Sequence, residues 1–432
     1  MIVIECESCR IRLVMEKTMG KENKKLHPAW LILVACCLIN ASALGLTNSN
    51  GMYFPEICRE LGISISTLSI HTIVSGLSSA VTLFFVDKAY ARMNTKALIA
   101  VNLLIYHLSY IVMYFFTSVV EFCMASVFTG IASAFLLYIP VPMLINNWFV
   151  KSKKTALSIC FVASGFSGIL ISMLLGWTIP AFGWRASYVI RSAFGLLLAV
   201  PVLFIVKKSP AEAGLKPYGA DAASQEDPGK VFGDSAERHT FKEKRFKLIF
   251  AVFLAVSLNL SCGMVGHLPN YADVLGMGVM MGSVLTSLAM VGNISSKAVF
   301  GPLTEKFGVA KVTVGVLLLT MAGFLLTGFG LTATAVICVT AVTTGMTACA
   351  NTLVIPNLAD TFVNGDEYVH VLARCSTGTM IASAFCTMVA SSLYDLFGSY
   401  TPVFLCYAAL EVVNIAVMIL VFGRRRPSHS RR

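Results

Sequence analysis

The chain has 432 residues, 56% hydrophobic and only 13% charged, with a mean hydropathy of +0.78 and a formal net charge of +11. A soluble domain carries about 25% charged residues, so a water-soluble globular protein is excluded. Apolar runs about 20 residues long recur along the whole chain, as expected for a polytopic helical membrane protein. The alternating segments of membrane barrel strands are absent.

In chain order, the residues before Trp30 form a tail with six Lys or Arg. Met1 to Leu26 shows no apolar run before a small-residue cleavage site, so no cleavable signal is expected. Cys6 and Cys9 make a lone C-x-x-C, a weak metal signal without a second pair. The 13 cysteines mostly lie scattered in apolar segments, which suits small core residues better than a disulfide framework.

Twelve spans are expected, at roughly 30–52, 67–87, 96–116, 121–145, 155–177, 187–206, 247–270, 280–301, 312–330, 333–356, 371–393 and 401–422. The even count puts both termini on one side. Lys88, Arg92 and Lys96 follow span two, Lys151, Lys153 and Lys154 follow span four, and Lys306 and Lys311 follow span eight. Nine Lys and Arg lie between Lys207 and Lys247, and five more close the chain. The opposite side shows little beyond Arg59 and Arg185, with Arg191 just inside span six. Basic loops stay on the cytoplasmic side, so both termini and the middle loop are expected there, in a multi-pass protein of the plasma (cytoplasmic) membrane.

The middle loop divides the chain six plus six. The expected organisation is a tail (1–29), a six-helix bundle (30–206), a flexible linker (207–246), a second bundle (247–423) and a basic tail (424–432). Asp87-Lys88 after span two and Glu305-Lys306 after span eight lie 305 − 87 = 218 residues apart, half the chain, as in an internal repeat. Two parallel halves place a substrate site between them near the midplane.

The stretch Ser287 to Lys311 carries the sharpest chemistry. Its first half is apolar and contains Lys297; its second half, Gly301 to Gly308, reads as a tight charged turn. A charge inside a span costs about 3 kcal/mol even on the gentlest insertion scale, so it points to function. An ammonium in a central cavity could pair with a substrate anion, or lose its proton and couple binding to proton movement. Its stem could equally snorkel to the interface about 6 Å away. Asn293 lies one turn from Lys297 on the same face, where it could orient the ammonium, touch substrate, or bond a neighbouring helix.

Other candidates line the expected cavity. Span one is unusually polar from Thr47 to Gly51, which singles out Asn50 and Tyr53. Span four offers Tyr138, span seven His267 and Tyr271 around a kinking Pro269, and span ten Thr347. For each, helix packing is an equal alternative. His107 in span three and Glu411 in span twelve are the buried titratable groups that a proton relay could use. No G-x-x-x-x-G-K-[ST] pattern occurs, and the seven histidines form no cluster with acids. An enzyme, a metal, a cofactor and a nucleic-acid partner are therefore not expected.

Several motifs resemble those of the major facilitator superfamily. Gly301-Pro-Leu-Thr-Glu-Lys-Phe-Gly308 is similar to its turn motif G-x-L-x-D-R-x-G, with Glu305 in place of Asp. Leu83 to Lys96 keeps Asp87, Lys88 and Arg92 as a degenerate first copy. Asn147 to Ser158, Gly183-Trp184-Arg185, Ser209 to Gly219 and Asp395 to Tyr400 resemble the family's other turns, in order, across roughly residues 30 to 423. The resemblance implies an all-α membrane protein with twelve transmembrane helices in two pseudo-symmetric six-helix bundles. It also implies a secondary transporter working by alternating access, in which Asp87, Lys88, Arg92, Glu305 and Lys306 gate the cytoplasmic side.

Within the superfamily the chain most resembles oxalate:formate antiporters and monocarboxylate transporters. These place an arginine in span eight four residues before the glycine that opens the turn, where Lys297 stands before Gly301. Asn293 occupies the position of an acid in the monocarboxylate carriers, and Asn48-Ser49-Asn50 stands where they have a lysine. Thr377 to Met380 lacks the second cation of the antiporters, and one buried cation suits one carboxylate. The resemblance thus implies a monomeric carrier of a small organic anion, with a coupling proton or counter-anion. The alternative is a neutral or cationic substrate, with Lys297 structural.

Overall fold

The structure is a computed structural model that describes residues 27–137, 139–150, 152–220, 262–348 and 366–422, with scattered positions at 249–260 and 354. The expected linker core, both tails and Tyr138 lie outside the described residues. The first half contributes α1 (Ala29–Asn40), α2 (Phe54–Leu61), α3 (Ile65–Arg92), α4 (Thr95–Val112), α5 (Val119–Leu137), α6 (Pro140–Trp148) and α7 (Lys153–Ile205). The second contributes α8 (Met264–Val274), α9 (Gly278–Phe307), α10 (Val309–Gly328), α11 (Thr334–Met346), α12 (Asp366–Phe397) and α13 (Tyr400–Phe422).

A spanning helix meets every backbone donor internally, which hydrocarbon demands. Its outer surface can then be apolar: Phe84, Phe85, Leu197 and Phe204 are all well exposed on the surface that lipid covers. Eight described helices are long and apolar enough to cross a membrane, and one of them, Thr155–Ile205, holds both the fifth and sixth expected spans. Gly183 divides these two with φ 78° and ψ 165°, a conformation that a residue with Cβ rarely adopts. The expected Gly183-Trp184-Arg185 turn is thus a one-residue hinge between continuous helices. The seventh and tenth expected spans run partly through residues that are not described, and α12 covers the eleventh.

The charged turns need correction. Gly301 to Phe307 is not a turn but the last two turns of α9, and the chain reverses at Gly308 alone, with φ 82° and ψ 149°. Likewise Asp87 to Arg92 closes α3, and the reversal falls at Met93, before the Asn94 cap of α4. Leu, Glu, Lys and Arg are strong helix formers, so these segments stay helical until Gly308 or the Asn94 cap stops them.

Among the described residues, buried apolar clusters form among Ala29–Val206 and among Met264–Ala408. The halves meet along two helix pairs. Gly165, Gly168 and Gly176 of α7 lie against Ile294, Met290 and Ser283 of α9. Gly76 of α3 lies against Ala384 of α12, and Ser69 Oγ and Ser391 Oγ share a 2.6 Å hydrogen bond. Small residues let helices approach closely where lipid gives no hydrophobic drive.

Candidate functional site

The polar run of the first span breaks its helix. α1 runs into a π-helical turn at Ala41–Gly45, the chain loosens at Asn48-Ser49, and a 3-10 turn follows at Asn50–Tyr53. Irregular backbone at membrane depth is tolerated only where protein or a cavity surrounds it. Here Ser49 Oγ bonds Ser172 Oγ of α7 at 2.9 Å. Gly51 packs so closely on the Gly266 carbonyl of the second half that a Cβ would collide with it. The break therefore lies on the boundary between the halves.

The break presents Asn50 to Arg191. Arg191 is on α7, eight residues past the Gly183 hinge, and is fully buried. Its Nη1 donates to Asn50 Oδ1 at 2.7 Å, and Asn50 Nδ2 donates to Tyr110 Oη at 3.2 Å. The guanidinium carbon sits 4.3 Å from the centre of the Tyr110 ring and 5.8 Å from that of Tyr53. Tyr53 stacks flat on Tyr188 at 3.8 Å and donates from Oη to the Ser187 carbonyl at 3.3 Å. Nε and Nη2 of Arg191 have no hydrogen-bond partner among the described residues. Aromatic faces attract the cation, but no carboxylate neutralises it within the described residues.

The sequence places Arg191 just inside span six without singling it out as a site residue. The signal that marks it is periodicity: Ser187, Tyr188, Arg191, Ser192 and Gly195 recur at three and four residues, one helical face, once the helix is started at Trp184.

Lys297 and Asn293 lie together on α9, one turn apart. Lys297 is half-buried, and its Nζ lies 5.7 Å from the ring centre of Phe161 on α7, so it faces the other half. Asn293 is buried, and its Oδ1 has no hydrogen-bond partner among the described residues. Phe161 and Ser172, which mark the levels of Lys297 and of the Asn50 break, are eleven residues apart on α7. That is about 16 Å of helix rise. The two cations thus stand at different depths, with Lys297 nearer the Lys/Arg-rich end.

The remaining candidates fall elsewhere. His267 is fully buried, with Nε2 2.9 Å from the Thr387 carbonyl and Nδ1 3.2 Å from Tyr400 Oη. Tyr271 packs edge-on against Tyr400 and Phe404. His267 follows Gly266, so it lies at the level of the first-span break, and Tyr271 lies about one turn further toward the end away from the basic loops. Thr347 is buried and donates to the Thr344 carbonyl at 2.7 Å. His107 Nε2 bonds Ser42 Oγ at 2.9 Å beneath Gly195, inside the first bundle. Glu411 is fully buried and accepts from Asn414 Nδ2 at 3.0 Å within the second. Lys88, Arg92 and Lys306 are exposed, and the side chains of Asp87 and Glu305 lie outside the described residues. Among the described residues no three side chains group as metal ligands.

At the end away from the basic loops, the halves are joined by polar contacts. Arg59 of α2 reaches Asp273 of α8, and Asp395 Oδ2 accepts from the Ser66 backbone N–H at 3.0 Å. Arg185 and Trp184 both donate to Glu60, which braces α2 against the hinge.

Two packed helical halves, with a broken span and the buried Arg191 near their boundary, define a multi-pass integral membrane protein. The profile of the Major Facilitator Superfamily matches residues 35–297 and 281–432, and the chain belongs to that superfamily. That superfamily is a class of transporters and not of enzymes. Among solved structures, the nucleoside transporter NupG superimposes with a TM-score of 0.66 at 12% identity, over 93% of this chain and 100% of that one. A bacterial homologue of the human lysosomal transporter Spinster, in an inward-facing and unoccupied conformation, gives 0.65 at 15% identity, over 93% and 96%.

Among sequence relatives, the riboflavin transporter RibJ of Trypanosoma cruzi is 27% identical over 44% of this chain and 42% of its own length. Multidrug resistance protein 2 of Bacillus subtilis is 24% identical over 44% and 47%. Human monocarboxylate transporter 11 is 22% identical over 64% and 56%. The chain thus spans about half the length of these relatives.

Proposed function

We propose that the protein carries a small organic anion, most simply a monocarboxylate, by alternating access, as a proton symporter or an anion exchanger. The observation that carries this reading is Lys297: a half-buried ammonium on α9, facing α7 across the boundary between the halves, with Asn293 one turn away. A carboxylate leaving water needs such a cation. The likeness to a monocarboxylate transporter over 64% of the chain agrees with it.

The termini and the linker are cytoplasmic in this reading, and the membrane is the plasma membrane. The Arg59–Asp273 end, where polar contacts join the halves, is then the outer one. Asn50, Tyr53, Tyr138, His267, Tyr271 and Thr347 are second-rank wall candidates. Asp87, Lys88, Arg92, Glu305 and Lys306 form the cytoplasmic gate, and His107 and Glu411 are the groups open to proton coupling.

The test is thermal stabilisation of the purified protein by a panel of carboxylates and neutral isosteres, since a ligand bound only by the folded state raises its melting point. Stabilisation by the acids alone supports the anion. Stabilisation by neutral compounds alone, such as nucleosides or flavins, replaces it with a carrier for a neutral substrate.

A further inference from the structure

We propose that Arg191 is a second anion-binding station, separate from Lys297, which takes a carboxylate side-on at its Nε and Nη2. The proposal rests on the organic-anion reading but places the anion at a residue to which that reading gives no part.

The guanidinium has five donors in a fixed fork. One end of it is used: Nη1 donates to Asn50 Oδ1 at 2.7 Å. The two nitrogens without a hydrogen-bond partner, Nε and Nη2, are not scattered. Their N–H bonds point the same way along one edge of the guanidinium, and their spacing matches the two oxygens of a carboxylate, which makes a bidentate pair. The guanidinium carbon lies close to the ring centres of Tyr110 and Tyr53, and the Tyr53 hydroxyl is a further polar neighbour. Nε and Nη2 still lack a hydrogen-bond partner among the described residues.

Arg191 is also fully buried, with no acid paired to it among the described residues. An uncompensated buried charge is strongly unfavourable. Asn50 is neutral, so its dipole orients the guanidinium without cancelling the charge. A structural arginine would be better served by an aspartate at position 50, whereas a neutral partner leaves the charge available to a ligand.

The position fits a station on a path. Asn50 stands in the broken part of the first span, which contacts the second half at Gly266. Half-helix breaks of this kind build the substrate sites of many transporters. The level of Arg191 lies about 16 Å of helix rise from that of Lys297, so one small carboxylate does not touch both at once. Arg191 holds the anion deep in the membrane, and Lys297 meets it nearer the basic end. The free edge is closed to solvent in the conformation described, so an anion reaches it as the tyrosines and the first-span break rearrange.

The experiment is equilibrium binding of labelled acetate, pyruvate, benzoate and succinate to the full-length protein in detergent. It compares wild type with Arg191→Gln, Arg191→Lys, Asn50→Asp and Lys297→Gln. Arg191→Gln is expected to weaken the carboxylate that wild type binds best by about 100-fold or more. Arg191→Lys, which keeps charge but loses the fork, is expected to weaken it about tenfold. Asn50→Asp supplies a permanent counter-ion 2.7 Å from Nη1. It should fold at least as stably as wild type and lose carboxylate binding, which keeps the test decisive if Arg191→Gln does not fold.

Wild-type affinity in Asn50→Asp, or in a folded Arg191→Gln, overturns the proposal. If Lys297→Gln alone then loses binding, the organic-anion reading survives without Arg191. Loss in the Arg191 and Asn50 variants, with binding kept in Lys297→Gln, supports Arg191 and removes Lys297 as the anion site. No carboxylate binding to wild type removes both.

Discussion

Arg59 of α2 and Asp273 of α8 join the two halves of the molecule through a forked ion pair: Arg59 Nη2 lies 3.1 Å from each carboxylate oxygen of Asp273. Arg59 also bonds Glu56, three residues back on its own helix. The pair is partly exposed, with the Arg59 side chain 58% accessible. Exposed pairs are worth at most about 1 kcal/mol. Asp273→Asn is therefore expected to shift the balance of access states toward opening at this end by no more than about fivefold. Distance distributions between spin labels on α2 and α8 should gain a longer population. An unchanged distribution would show that Arg59–Asp273 does not help hold this end shut.

The close approach of Gly51 to Gly266 makes a stronger prediction. The Cβ of Gly51→Ala meets a backbone carbonyl, which cannot swing aside as a side chain can. Overpacking of this kind costs about 1–3 kcal/mol. Gly51→Ala should express, melt several degrees lower and transport poorly, because closure brings these two backbones together. Wild-type melting temperature and uptake would remove the contact from the closing mechanism.

The large features were legible in the sequence because they rest on strong signals. Spans near 20 apolar residues and a Gly-Trp-Arg hinge leave few alternatives, and Lys297 stands out as a cation in an apolar run. The turn at Gly301–Gly308 was misread because Gly-Pro suggests a break, whereas Leu303 to Phe307 keeps the helix and the reversal waits for Gly308. Arg191 was hidden differently. The sequence places it just inside span six, six residues from Arg185, but says nothing of what it touches. Its tyrosine surroundings come from the first-span break, α4 and α7, and no spacing along one chain segment reveals a contact made in three dimensions.

Topology is tested by labelling. Ser224→Cys lies in the proposed cytoplasmic linker, outside the described residues. By the Lys/Arg asymmetry it should resist membrane-impermeant thiol reagents in intact cells and react after permeabilisation. Reaction from outside intact cells would invert the orientation.

Glu305 is proposed as a latch at the basic end in the outward-facing state. Glu305→Ala should keep expression and shift accessibility toward the cytoplasm, because removing one partner of a charge pair disfavours the state that holds it. Unchanged labelling from both sides would leave Glu305 as part of a helix end and nothing more.

The most direct measurement is carboxylate uptake by Lys297→Gln, with Lys297→Arg beside it. Removing one partner of a desolvated pair costs about 3–5 kcal/mol, which is about two to three orders of magnitude in affinity. Lys297→Gln should therefore fold and abolish uptake, while Lys297→Arg keeps part of it because the charge survives and the geometry changes. Wild-type uptake of carboxylates by the Gln variant would contradict the role of Lys297 and leave it a residue that reaches for the interface.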